Sequence, residues 1–313
     1  MIIINNEEIC RSLWKKLNLG SLSFGVTGSF EFRKFYSSLF GMKPYFVCDN
    51  VQNPSLVLPL CEGAGRLDWF GTNELEDTPI YCDRKVNDQL IIPSLNLSLP
   101  TEMTKVNALQ LKKMQECRLV QSSEISGTKV VVETKTSLIG HAHWSERNLY
   151  RTRKIFSNLG PNWVFHENPD ILEINSVFAE SVKMFSTRKR SSKLQDASRR
   201  KKYQKIFSSS VPGVRTILGT CFIDDVPTIR VLILLCENIA TVSTITVNPE
   251  HPKGKIILQH GFRYAILSLP DELRLVYNCR AVDYQGGDYS WKREVSLGSQ
   301  LAQFNVKLNY GHF

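Results

Sequence analysis

Three apolar runs, Thr216–Phe222, Thr228–Leu235 and Ala240–Val247, follow one another with only a short turn between each pair. Asp224-Asp225 makes the first turn and Glu237-Asn238 the second. Short runs rich in Val, Ile and Thr, bounded by turn residues, predict an antiparallel meander. Directly after it, Asn248-Pro249 ends the strand and Pro252-Lys253-Gly254-Lys255 opens a helix predicted over Gly254–Leu267. Lys255, Gln259 and Arg263 recur every fourth residue on one face of that helix; Ile257, Gly261 and Tyr264 lie on the other. A strand is expected at Leu273–Cys279 and a last one near Phe304–Tyr310.

Helices precede the meander. Ser145–Leu159 sets Leu149, Phe156 and Leu159 beside Arg147, Arg151, Arg153 and Lys154. Asn168-Pro169-Asp170 reads as a helix start, with Asn168 as the cap, proline in the first helical position and an acid in the first turn. Ile171, Ile174, Phe178, Val182 and Phe185 then mark one apolar face, and a further helix is expected over Asp196–Ser208. The first half is more mixed. Helices are expected around Ile9–Leu17 and Phe30–Phe40, and strands at Tyr45–Cys48, Ser55–Leu60, Leu67–Phe70, Leu90–Ile92 and Lys129–Thr134, with Val106–Gln115 a strand joined to a short helix. Two halves of helices followed by strands place a boundary near 137–144, giving lobes 1–140 and 141–313.

Composition narrows the class. At 313 residues with 42% apolar and 22% charged side chains, the chain can bury a core without staples, and it is neither collagenous nor disordered. The longest apolar run, Val231–Cys236, is far below the ~20 residues that span a bilayer. Met1–Cys10 does not read as a signal peptide, because no basic segment precedes its isoleucines and Glu7 and Glu8 follow at once. The eight cysteines form no C-x-x-C, and most lie in strand-like apolar segments. They are expected to be reduced small hydrophobes, which places the chain in the cytoplasm.

The segment after the meander carries chemistry. The first N–H groups of a helix lack intrahelical acceptors, and the helix dipole adds positive charge there. With a glycine to let an anion approach, and Lys253 and Lys255 beside it, Gly254 opens a suitable pyrophosphate cradle. The element order — helix, helix, three-stranded meander, glycine-started helix, strand — is that of the GNAT acyltransferase fold. Pro252-Lys253-Gly254-Lys255-Ile256-Ile257-Leu258 resembles the S/P-x-G-x-x-L-L segment of its CelD-type (cellulose-biosynthesis) acetyltransferase branch, which is related to the Fem aminoacyl transferases. Val282-Asp283-Tyr284-Gln285-Gly286-Gly287-Asp288-Tyr289-Ser290-Trp291-Lys292 is similar to that branch's F-D-x-x-x-G-D-x-x-Y-K pattern: Asp283, Gly287, Asp288 and Lys292 match in register, and Trp291 replaces the tyrosine. An indole cannot replace a phenol as proton donor to a thiolate. The first lobe agrees more loosely, through Tyr45–Cys48, Ser55–Leu60, Leu67–Thr72 and Asp77–Ile80, and the likeness covers roughly residues 30–300.

The resemblance implies an α/β (α+β) protein of tandem GNAT-like lobes, each a mixed, twisted sheet flanked by helices. It implies an acyltransferase moving an acyl group from acyl-CoA, acetyl-CoA first among them, to an amine or hydroxyl acceptor, small or carrier-bound. Val247, Lys253, Gly254, Lys255 and Ile256 are the candidate donor-binding residues. Such chemistry needs a base for the acceptor proton, donors for the oxyanion and a proton for the leaving group. Asp288 and Asp283 are candidate bases or amine-binding carboxylates, Lys292 can polarise a carbonyl or bind an anion, and Tyr289 and Tyr284 are candidate acids. Each also has a plainer reading: turn residues, a solvated charge and packing.

Between 188 and 205 nine basic residues face Asp196 alone, nearly the whole formal net charge of +9. This is either a solvated connection or a surface for phosphates, those of CoA, a nucleotide sugar or tRNA. An aminoacyl-tRNA donor, as for a Fem-like transferase, is therefore the second enzyme reading, and a non-catalytic nucleic-acid-binding or scaffold protein is the reading from another class. His141 and His143 lack companions at ligand spacing, so no metal is expected.

Overall fold

The computed structural model describes residues 1–17, 25–72, 75, 78–82, 99–134, 146–188, 190, 192–286 and 300–308. The chain forms two units: Met1–Lys129 together with the last strand, and Val130–Gln285. The expected boundary at 140/141, the expected strand Leu90–Ile92, and His141 and His143 lie outside the described residues.

In the first unit β1 (Ile2–Ile4) precedes α1 (Glu7–Leu17), a short α2 (Gly25–Gly28) and α3 (Phe30–Ser38). Strands β2 (Lys43–Cys48), β3 (Leu56–Gly63) and β4 (Arg66–Trp69) form an antiparallel meander, with β1 on β2 and β5 (Tyr81–Cys82) on β3. α1 buries Cys10, Leu13 and Trp14, which join Phe30, Phe46 and Phe70 in one aromatic core. Then come β6 (Glu102–Asn107), α4 (Ala108–Glu116) and β7 (Val120–Glu133), the last from its Val130 onward in the second unit. Cys82 and Cys117 are joined by a disulfide, with 6.5 Å between their Cα atoms. This corrects the expectation that all eight thiols are reduced and removes the cysteine argument for a cytoplasmic chain. The other six cysteines are buried and outside any disulfide.

The second unit holds α5 (Glu146–Ser157), β8 (Asn162–Glu167), α6 (Ile171–Thr187), α7 (Ala197–Ser208), β9 (Val214–Ile223), β10 (Val226–Cys236), β11 (Ile239–Val247), α8 (Gly254–Tyr277) and β12 (Ala281–Gly286). Its sheet runs in the order β12-β11-β10-β9-β8. The meander is as expected: β9, β10 and β11 are antiparallel, joined by Asp224-Asp225, both at positive φ as a type I′ hairpin turn requires, and by Glu237-Asn238. β12 then lies parallel to β11, so the sheet is mixed. Ile229, Val231, Ile233 and Leu235 of β10 pack with Ile257, Ala265, Ile266 and Leu273 of α8 in one core. The ring of Phe156 on α5 stacks on Tyr264 at 4.0 Å. The last strand, β13 (Gln300–Leu308), is antiparallel to β6 in the first unit.

Two expectations are corrected. The cap of α6 is Asp170: its carboxylate accepts from the N–H groups of Leu172 and Glu173, and Glu173 returns a bond to the Asp170 N–H, completing a capping box. Asn168 stands outside the helix at φ +53°. The predicted strand Leu273–Cys279 is instead the last turns of α8, which runs 24 residues through Pro270 to a left-handed Asn278. Pro270 has no N–H for the carbonyl of Ile266. The Tyr284 hydroxyl donates to that oxygen at 2.9 Å, replacing the bond proline cannot make.

Candidate functional site

The meander and the helix after it converge on one region of the second unit. β11 is regular against β10 from Ile239↔Cys236 to Val242↔Ile233; Thr244 then pairs with Leu232, leaving Ser243 as an extra residue. Such a bulge bends a strand and leaves its extra residue outside the ladder. On the other edge β11 pairs with β12 only over Ile239↔Ala281, Ala240↔Val282 and Thr241↔Asp283. This ladder reaches Thr241↔Asp283, and the fork of the two parallel strands there lies two residues before the bulge. Thr241, at the fork, is 1% exposed, and its hydroxyl has no hydrogen-bond partner among the described residues. Asp283, also 1% exposed, accepts from the Gln285 N–H at 2.7 Å, and the Gln285 amide reaches Ser243 Oγ at 3.4 Å.

Beyond Val247 the chain turns into α8. Asn248 fixes the turn by donating to the Pro227 carbonyl at 3.0 Å and accepting from the Glu250 N–H at 2.9 Å. The buried His251 accepts the Lys253 N–H at Nδ1, 3.1 Å. Lys253 caps the helix without a side-chain bond. The carbonyl of Lys253 takes the N–H groups of Ile256 and Ile257, at 3.0 and 3.1 Å, leaving those of Gly254 and Lys255 with no intrahelical acceptor. A Cβ on Gly254 would lie 3.0 Å from the Pro249 carbonyl oxygen, so the close approach of the turn selects glycine there.

The other candidate donor-binding residues are placed differently from one another. Val247 is fully buried, and its side chain packs toward Gly261 of α8. The Lys253 ammonium is bonded to Asp224 at 2.6 Å, which holds the Asp224 carboxyl below its usual range. Lys255 is exposed on the first turn, and Ile256 exposes 45% of its surface. Of the C-terminal motif, Asp283 stands at the fork, while Asp288, Tyr289, Trp291 and Lys292 lie outside the described residues. Tyr284 is a buried structural residue, its phenol raised by burial alone. Among the described residues no group of three or more His, Cys, Asp or Glu could hold a metal.

One cluster escaped the sequence reading. Arg230 and Thr246 are cross-strand partners on β10 and β11. Glu180 of α6 stands against both: its carboxylate accepts the Thr246 hydroxyl at 3.0 Å and lies 3.4 Å from the Arg230 guanidinium, which also donates to Ser176 one turn earlier. Burial raises the Glu180 carboxyl above its ordinary value, and the opposing pull of Arg230 and Thr246 does not cancel it. The available signal was one acid, Glu180, among the apolar positions of α6, with no motif around it.

No protein-family model and no curated protein matches the chain. Solved structures do. A conserved protein of unknown function from Bacteroides thetaiotaomicron superposes with TM-score 0.60 at 10% identity, covering 99% of this chain and 100% of that one. FemX superposes with TM-score 0.55 at 9% identity, covering 99% and 98%. L-PGS from Bacillus licheniformis superposes with TM-score 0.50 at 9% identity, covering 97% and 92%. At these identities the likeness is one of fold alone: mixed α/β sheets flanked by helices, matched over nearly the whole chain.

Proposed function

We propose that the chain is an acyltransferase of the CelD-type branch that takes an acyl group from acyl-CoA and passes it to an amine or hydroxyl acceptor. The observation that carries this reading is the fork between β11 and β12, two residues before a bulge on the strand that leads into the glycine-started α8. A parted strand edge offers unpaired backbone groups to an extended, amide-bearing ligand, as in strand addition. The N–H groups of Gly254 and Lys255, with the helix dipole behind them, suit a pyrophosphate. A backbone N–H at the bulge could stabilise the oxyanion formed when the acceptor attacks the thioester carbonyl. The attacking amine or hydroxyl gives its proton to a carboxylate, for which Asp283 and Asp288 are the candidates, and the thiolate leaves as the C–S bond breaks; Lys292 and Tyr289 are the candidates to meet it.

The second donor reading, an aminoacyl-tRNA, is favoured by one observation: Arg199, Arg200, Lys201 and Lys205 are all exposed on α7, which has no acidic residue of its own. Thermal unfolding with acetyl-CoA, longer acyl-CoAs or charged tRNA separates the readings. A ligand at 100 times its dissociation constant adds about 2.7 kcal/mol. Stabilisation by an acyl-CoA supports the first reading; stabilisation by tRNA alone supports the second. A chain indifferent to every donor would instead be a non-catalytic protein on this fold. No helix among the described residues is long and apolar enough to cross a membrane.

A further inference from the structure

We propose that the acyl group this chain accepts carries a hydroxyl of its own, and that Thr241, at the closed end of the fork, is the residue that reads it. This rests on the reading of the fork and α8 as the donor site and names the class of acyl group: a hydroxyacyl rather than a plain hydrocarbon acyl.

The Thr241 hydroxyl is buried and has no hydrogen-bond partner among the described residues. Equally buried threonines of the same unit do have partners: Thr152 meets His260 Nδ1 at 3.2 Å, Thr228 donates to the Val226 carbonyl at 2.9 Å and Thr246 to Glu180 at 3.0 Å. An unmet buried hydroxyl costs stability, and valine, of the same shape and at home in a strand, would fill the position without that cost. The hydroxyl is therefore suited to a group that arrives with the ligand.

The strand says which end of the ligand arrives there. Ala240 and Val242 pair with Leu235 and Ile233 and share their core with α8, so Thr241 lies on the other face of β11, beside its partner Asp283 on β12. From Thr241 the strand runs six residues, about 20 Å, to Val247 and the turn into α8. A donor held by its pyrophosphate at α8 and laid back along β11 therefore ends at Thr241 with its acyl group. A hydroxyl there can both give a hydrogen bond to Thr241 and take one, whereas a methyl leaves Thr241 unpaired. An ammonium suits the place less well, because Thr241 is neutral and the Asp283 carboxylate already accepts the Gln285 N–H at 2.7 Å.

The test is calorimetric titration of butyryl-CoA, 3-hydroxypropionyl-CoA and β-alanyl-CoA, which bear a methyl, a hydroxyl and an ammonium on the same carbon. The wild-type chain is expected to bind the hydroxyacyl thioester about tenfold or more tighter than the butyryl one. Thr241→Val should abolish that preference and Thr241→Ser should keep it. In the ligand-free chain Thr241→Val should raise the urea midpoint, which a hydroxyl with a structural role would not allow; a lowered midpoint overturns the proposal. A wild type that binds all three thioesters alike, or a valine variant that keeps the preference, overturns it while leaving acyl-CoA as donor. Tighter binding of β-alanyl-CoA gives the site to an amine and overturns the hydroxyacyl assignment. A wild type that binds none of the three, nor CoA itself, removes the donor reading and this one together.

Discussion

Tyr284 shows how one side chain can have a role that its spacing in a motif hides. It sits inside the segment that resembles a catalytic pattern, yet its hydroxyl serves the Ile266 carbonyl that Pro270 leaves without a donor. Tyr284→Phe should therefore cost about 1–2 kcal/mol, the expense of an unsatisfied buried carbonyl. In a Pro270→Ala background the alanine N–H can take that carbonyl, so the same substitution should cost less, by about 1 kcal/mol in a double-mutant cycle of urea denaturation. Equal costs in both backgrounds would show that the bond carries no weight. Glu180 gives a prediction in pH. Its folded pKa is raised above the ordinary 4.5, so the folded state binds the proton more tightly than the unfolded one. The stability it contributes is complete below that unfolded value and is lost as pH rises through the folded one. Glu180→Gln removes this dependence, so the stability curve of the variant should fall less between pH 4.5 and neutrality than that of the wild type. Denaturant midpoints measured across that range would show it.

At the level of elements, the meander was legible because its signals are local: three apolar runs and two turns specify β9, β10 and β11 with ends displaced by two residues at most. The glycine-started helix was legible for the same reason. What failed depended on partners distant in sequence. The end of α8 reads as a strand because Pro270 normally breaks a helix, and the hydroxyl that repairs it comes from Tyr284 on β12. The pairing of Cys82 with Cys117 joins residues 35 apart and has no spacing signal. The bulge at Ser243 and the fork at Thr241 are relations between strands, so neither shows in one strand's sequence. The start of α6 lies between these cases: Asn168 and Asp170 both suit a cap, and only the bonds formed decide. Asp170→Ala should cost about 1 kcal/mol, whereas Asn168→Gly should be neutral or slightly favourable, because glycine tolerates the positive φ at that position. Chemical denaturation of the two variants would distinguish the cap from its neighbour; a larger loss for Asn168→Gly would return the cap to the position first read.

For the molecule as a whole, the question is what its charge is for. The excess of +9 is concentrated in the stretch ending at Lys205. The Arg188 guanidinium donates to the Leu258 carbonyl of α8, whereas Arg199, Arg200, Lys201 and Lys205 are spread over the exposed surface of α7. The aromatic residues of α7 cannot serve as a platform for bases: Phe207 is buried, and Tyr203 stacks on it at 6.4 Å. A polyanion on α7 would therefore be held by its phosphates, through contacts that release counterions and weaken steeply with salt. Each single-strand phosphate contact contributes about −0.7 to the slope of log affinity against log salt, and four contacts give roughly −3. The variant with glutamine at 199, 200, 201 and 202 should lose most of that slope for charged tRNA while leaving CoA binding unchanged, since the start of α8 is untouched. Filter binding from low to moderate salt measures both. If the slope survives the four substitutions, tRNA binds elsewhere. If tRNA does not bind at any salt concentration, the cations of α7 are a solvated face, and the aminoacyl-tRNA reading loses the observation that favours it.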